Sequence, residues 1–141
     1  MQFITLFVSI CFIAISSADD IYQKRTAAVD YCKKKLSISD ADADIINVKQ
    51  EPSNEDQSCL LECVYEKLGL IKDNKLSPEG AAILSKERFG DNSEAVKTSD
   101  AVFKKCDNEH VPSSEKCHLG KHIRKCFISY DNKDNSFFKK N

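Results

Sequence analysis

The chain of 141 residues has no tryptophan, one methionine, three prolines and four glycines. So few breakers favour helices over a turn-rich β architecture. Strand-like alternation, internal repeats and low-complexity tracts are also missing. Charge of one sign is not in excess: 21 Lys and Arg oppose 22 Asp and Glu, for a net charge of −1. Such a balance gives no electrostatic reason to bind nucleic acid or to insert into an anionic membrane. No histidine is followed by aspartate and no G-x-S-x-G occurs, so the motifs of a secreted hydrolase are absent. The chain reads as a non-enzyme.

What is present starts at the N-terminus. Phe3 to Ile15 is almost wholly apolar, and Met1 to Ala18 contains no charged side chain. The run is shorter than the roughly 20 residues a membrane span needs. Ser16, Ser17 and Ala18 are small, as signal peptidase requires. We read residues 1–18 as a secretory signal peptide cleaved after Ala18, rather than as a buried helix, and residues 19–141 as one domain. No later run approaches spanning length, so the mature chain is expected in an extracellular fluid.

Cleavage removes Cys11 and leaves six of the seven cysteines. An even number in a small secreted chain predicts disulfides, which help a domain with a modest core.

Capping residues followed by apolar positions at three- and four-residue spacing predict six helices and an all-α fold. The first spans Asp20 to Leu36, with Ile21, Ala28, Val29, Cys32 and Leu36 inward. A short second helix starts at Ser39, has Asp42 as acidic cap partner, and carries Ile45, Ile46 and Val48. Asn54 to Leu68 form the third, closed by Gly69. Ser77 and Pro78 open the fourth and Gly90 ends it. The fifth runs from near Ser93 to Cys106, with Val96, Val102 and Phe103 inside. The sixth starts after Pro112 and Ser113, runs to about Tyr130, and carries Cys117, Leu119, Ile123, Cys126, Phe127 and Ile128.

The mature spacing is Cys32-x26-Cys59-x3-Cys63-x42-Cys106-x10-Cys117-x8-Cys126. Cys59 and Cys63 share a helix face and suit a mutual bond poorly. Cys117 and Cys126 are about 900° apart on a helix, hence on opposite sides. Each cysteine of these two pairs needs its own partner, which leaves several of fifteen connectivities open.

This cysteine pattern resembles that of the insect odorant-binding (pheromone-binding) family over the whole mature chain. The resemblance implies the pairing Cys32–Cys63, Cys59–Cys117 and Cys106–Cys126, and a six-helix disulfide-linked bundle enclosing an apolar cavity. It implies a secreted carrier of a small hydrophobic ligand (an odorant, pheromone or similar semiochemical) that serves a membrane odorant receptor, as a monomer or weak homodimer, with no cofactor. Ligand contacts carried over from the family are Tyr65, Leu68, Leu70, Leu76, Ile83, Leu84, Phe103 and Phe127, with Phe137 or Phe138 of the tail at the cavity mouth. Some relatives have Ser or Thr where Tyr65 and Leu70 stand, so a ligand more apolar than a short alcohol is expected. The Tyr65 and Tyr130 hydroxyls are candidates to orient a ligand oxygen. Transport in haemolymph, venom or glands, and a secreted helical signalling or defence protein acting by surface contacts, are the competing readings. A saposin-like lipid-binding module lacks its paired terminal cysteines here.

His118 and His122 are four apart beside Cys117, a spacing that can chelate zinc. Cys117 is better used in a disulfide, and the histidines read as solvated on a basic face with Lys116, Lys121, Arg124 and Lys125. His110, His118 and His122 titrate in the range a pH switch needs. The tail after Cys126 is too short for a long helix that swaps into the cavity.

Overall fold

A computed structural model describes residues 17–107 and 114–131. Residues 1–16, which hold most of the expected signal peptide, and His110, Phe137 and Phe138 lie outside the described residues. Six α-helices dominate: α1 Ser17–Leu36, α2 Asp40–Ala43, α3 Glu55–Lys67, α4 Pro78–Phe89, α5 Ser93–Asp107 and α6 His118–Tyr130.

α3 is the centre. Asn54 caps it by accepting from the Gln57 N–H at 2.8 Å. Its buried residues, from Ser58 to Tyr65, lie almost all round the helix because α1 and α6 pack on different sides of it. Gly69 ends it at a φ of 78°, a left-handed conformation that glycine adopts without strain. The Leu70 N–H then returns to the Tyr65 carbonyl at 2.8 Å. α1 ends in the same way at Ser37, with Ile38 N–H donating to the Lys33 carbonyl at 3.0 Å. Its inner stripe buries Ala28 and Cys32 and half-buries Ile21 and Val29, whereas Leu36 turns out to solvent at the helix end.

Three other expectations change. The second helix is one turn long and tightens into a 3-10 turn, Asp44–Ile46. Carbonyls that would continue it, those of Ile45, Ile46 and Val48, instead accept from arginines. A two-stranded antiparallel hairpin, β1 Ile71–Lys72 and β2 Lys75–Leu76, precedes α4. Its turn residues Asp73 and Asn74 both have positive φ, as a two-residue hairpin turn requires. Finally, α6 starts at His118, and Cys117 sits before it in a left-handed conformation. Cys117 and Cys126 are therefore not two positions of one helix.

α4 and α5 meet through small residues. Ser85 and Ser99, both buried, share a hydroxyl hydrogen bond at 2.5 Å, and Ser85 also donates to the Ala81 carbonyl. Ala95, rather than the half-buried Val96, fills the inner face at the start of α5.

Three disulfides link these elements. Cys32–Cys63 joins α1 to α3, Cys59–Cys117 joins α3 to the turn before α6, and Cys106–Cys126 joins α5 to α6. This is the pairing that the resemblance implies. Among the described residues no helix is long and apolar enough to cross a membrane.

Candidate functional site

A pocket of about 130 Å³ lies between α1, α3, α4, α5 and α6. Leu61, Val64 and Tyr65 of α3, with Leu68 and Leu70 after it, form one wall. Leu84 of α4, Phe103 of α5 and Phe127 of α6 add to the apolar lining. Phe103 stands edge-on to Phe127 at 5.0 Å between ring centres, and Tyr65 leans on Phe127 at 6.1 Å. In the edge-to-face pair the positive edge of one ring meets the negative face of the other, which is favourable.

The remaining lining is polar or half-exposed, apart from the buried Ile46. Ile21, Tyr22 and Arg25 come from α1, Ile46 from the 3-10 turn, Arg88 from α4 and Arg124 from α6. Ile21, Tyr22, Arg25, Leu68 and Arg88 are only partly buried, so the pocket reaches the surface between α1, the end of α3 and the end of α4. Arg88 stacks over the Tyr22 ring at 5.5 Å.

Arg124 is 3% exposed. It does not belong to the solvated basic face on which its lysine neighbours stand. Its Nε donates to the Gln50 carbonyl at 3.1 Å, and its Nη2 to the carbonyls of Ile45 (2.7 Å) and Val48. It thereby ties α6 to the loop after α2. Burial lowers its pKa from the ordinary guanidinium value, partly opposed by the neighbouring Tyr65 phenol. Burial likewise raises the pKa of Tyr65. Arg25 donates to the Ile46 carbonyl at 2.6 Å and to Asn47 Oδ1 at 3.2 Å. Its pKa is also lowered, chiefly by burial and further by Arg124 and Arg88. Both groups stay protonated at any pH the fold meets, because a guanidinium starts so high.

Of the residues named from the resemblance, Tyr65, Leu68, Leu70, Leu84, Phe103 and Phe127 line this pocket. Leu76 is buried in the hairpin but is not part of the lining. Ile83 is displaced from the expected role: it is 54% exposed, because Ala81, Leu84 and Ser85 hold the inner face of α4. Tyr130 is 39% exposed, beneath Lys105, and lies away from the pocket. Sequence reasoning missed the arginines. A signal existed: Arg25 is four residues from Ile21, Arg88 four from Leu84, and Arg124 three from Phe127. Each is a charged residue in an apolar stripe.

His118 and His122 are partly buried on α6 and lie outside the pocket. Among the described residues no three His, Cys, Asp or Glu gather closely enough to hold a metal ion.

Known proteins match this chain in sequence and in shape. The sequence model described as the PBP/GOBP family matches residues 16–130. An odorant-binding protein of Drosophila melanogaster, OBP28a, superposes with a TM-score of 0.69 at 23% identity, covering 80% of this chain and 93% of its own. The blowfly Phormia regina protein OBP56a, described as a fatty acid binding protein from the oral disk, gives 0.61 at 25%, covering 79% and 92%. Odorant binding protein 5 of Apis mellifera gives 0.66 at 14%, covering 88% and 97%.

Proposed function

The chain belongs to the PBP/GOBP family, the six-cysteine insect odorant-binding proteins, and on that premise we propose that it is a secreted carrier which shields small apolar ligands in the pocket and delivers them to a membrane receptor. The family comprises carriers, not enzymes. One observation carries the reading: an apolar recess closed by Phe103 and Phe127 inside a stapled bundle. A recess of this kind removes ligand surface from water, and a few polar groups at its edge fix orientation. Three disulfides suit an extracellular protein. On this reading residues 1–18 direct export and residues 19–141 work in sensillum lymph or another extracellular fluid.

The test is binding of a fluorescent apolar probe to the oxidised mature chain. Phe127→Ala removes one wall of the recess and should weaken probe binding on the order of tenfold, the scale of losing one buried aromatic contact. Helical circular dichroism, with the three disulfides intact, checks that the variant is folded. A folded variant with undiminished probe affinity would reject the pocket as the binding site.

A further inference from the structure

The disulfides leave one stretch of the bundle without a staple. The six mature cysteines lie in α1, α3, α5, α6 and the turn before α6, and residues 64–105 contain none. That stretch holds the β-hairpin, α4 and most of α5. α4 and α5 form a helical hairpin. Ser85 and Ser99, which share the buried hydroxyl hydrogen bond, each stand seven positions from Asn92. The two helices therefore run antiparallel, with residues 90–92 at the tip.

Base and tip of this hairpin are held differently. At the base, Gly80 packs so close to the end of α3 that a Cβ would stand 1.8 Å from the Gly69 carbonyl oxygen. The Ser77 N–H donates to the Leu70 carbonyl at 2.7 Å, and Cys106 is bonded to Cys126 of α6. Toward the tip, α4 reaches α1 through side chains at the surface. Lys24 donates to Glu87 at 2.7 Å, and Arg88 stacks over Tyr22. The buried residues of α4 are Gly80, Ala81, Leu84 and Ser85, and those from Lys86 to Phe89 are exposed or half-buried. A segment that buries so little apolar surface opens locally at low cost. Gly90, at a φ of 56°, gives the tip a residue that tolerates backbone rotation.

The seam between α1 and α4 lies over the pocket, with Ile21, Tyr22 and Arg25 lining one side and Leu84 and Arg88 the other. We propose that the α4–α5 hairpin is a hinged flap on the pocket, pivoting at Gly80 and at the Cys106–Cys126 bond, and that the Lys24–Glu87 ion pair is the latch whose breaking admits and releases ligand. The inference rests on the carrier reading and names the route into that same site. Neither Lys24 nor Glu87 lines the pocket. Their side chains are 45% and 29% exposed. A pair this open to solvent is weak, so it favours the closed flap while leaving opening frequent.

The experiment is stopped-flow mixing of N-phenyl-1-naphthylamine with the mature oxidised protein, which gives association and dissociation rate constants separately. A latch slows entry and exit alike, because empty and loaded protein are both closed. Lys24→Glu and Glu87→Lys should each raise both rate constants about threefold, the scale of one exposed ion pair, with little change in Kd. The double variant Lys24→Glu with Glu87→Lys rebuilds the pair in reverse and should bring both rates back. Amide hydrogen exchange in the single variants should quicken from Ser85 to Asn92 and stay unchanged in α3. Unchanged rates in both folded single variants overturn the inference and leave the carrier standing. Fast rates that persist in the double variant also overturn it. So does an altered Kd at an unaltered association rate, which makes the pair part of the binding surface, and so does faster exchange throughout the chain, which makes it a general stabiliser. Absence of probe binding in the natural protein overturns both the inference and the carrier reading.

Discussion

Asp42 collects three donors. Asn54 Nδ2 reaches its Oδ1 at 2.9 Å and Gln57 Nε2 the same oxygen at 3.3 Å, while the Ser39 hydroxyl reaches Oδ2 at 2.8 Å. One carboxylate thus joins the cap of α2 to the cap of α3. These bonds, Asn54 first, hold its pKa below the usual carboxylate value. A folded-state pKa below the unfolded one means stabilisation that is complete above the ordinary carboxylate range and is lost as pH falls through the folded value. Asp42→Asn should therefore melt below the natural protein near pH 7, and the gap should close as pH falls below the ordinary carboxylate range. A gap independent of pH would rule out ionisation as the cause. The arginines show why residue type misleads at this scale. Arg25, Arg88 and Arg124 are charged, so they read as surface, yet each sits in an inner stripe. Backbone carbonyls brought to Arg25 and Arg124 by another part of the chain help make those two positions tolerable.

Among the elements, α6 crosses α3 at close range. A Cβ on Gly120 would stand 2.2 Å from the Ser58 carbonyl oxygen and 2.6 Å from the Glu62 nitrogen. Both are backbone atoms of α3 and cannot swing aside. The Gly120 N–H also donates to Glu62 Oε2 at 3.0 Å, which the close approach permits. In an isolated helix, alanine would be better than glycine by about 1 kcal/mol. Here the clash dominates, since overpacking costs roughly 1–3 kcal/mol and forces helices apart. Gly120→Ala should lower the melting temperature by several degrees, at about 2–8 °C per kcal/mol; an unchanged or raised melting temperature would show that the helices give way cheaply. Caps were the most legible elements. Asn54, Ser77 and Gly69 act as their residue types suggest. The hairpin at Ile71–Leu76 was not read, because two-residue strands show no alternation; Asp73-Asn74 between apolar residues was its one trace.

The whole molecule is held by three interlocked loops. Cys59–Cys117 spans 58 positions, and Cys106–Cys126 spans 20. On a chain-entropy basis the longer loop contributes about 4 kcal/mol and the shorter about 3. The double variant Cys59→Ser with Cys117→Ser should lose about that much in urea unfolding, and more than the Cys106, Cys126 pair of serines. The reverse order would mean that native packing, not loop length, sets the loss. Six helices, the ends of most of them and the shared face of Cys59 and Cys63 followed from periodicity, capping and spacing alone, because these are local properties of neighbouring residues; the end of the second helix and the start of the sixth did not. Local order could not say which cysteines meet, that Cys117 precedes α6, or that Ile83 faces outward while Arg124 faces in. Those outcomes depend on groups far apart in the chain: the carbonyls at 45, 48 and 50 that receive Arg124, and the aromatic pair from α5 and α6 that closes the recess. The apolar wall was foreseeable from residue type. The charge at its mouth was decided only when the packing of α1, α4 and α6 brought three arginines to one pocket.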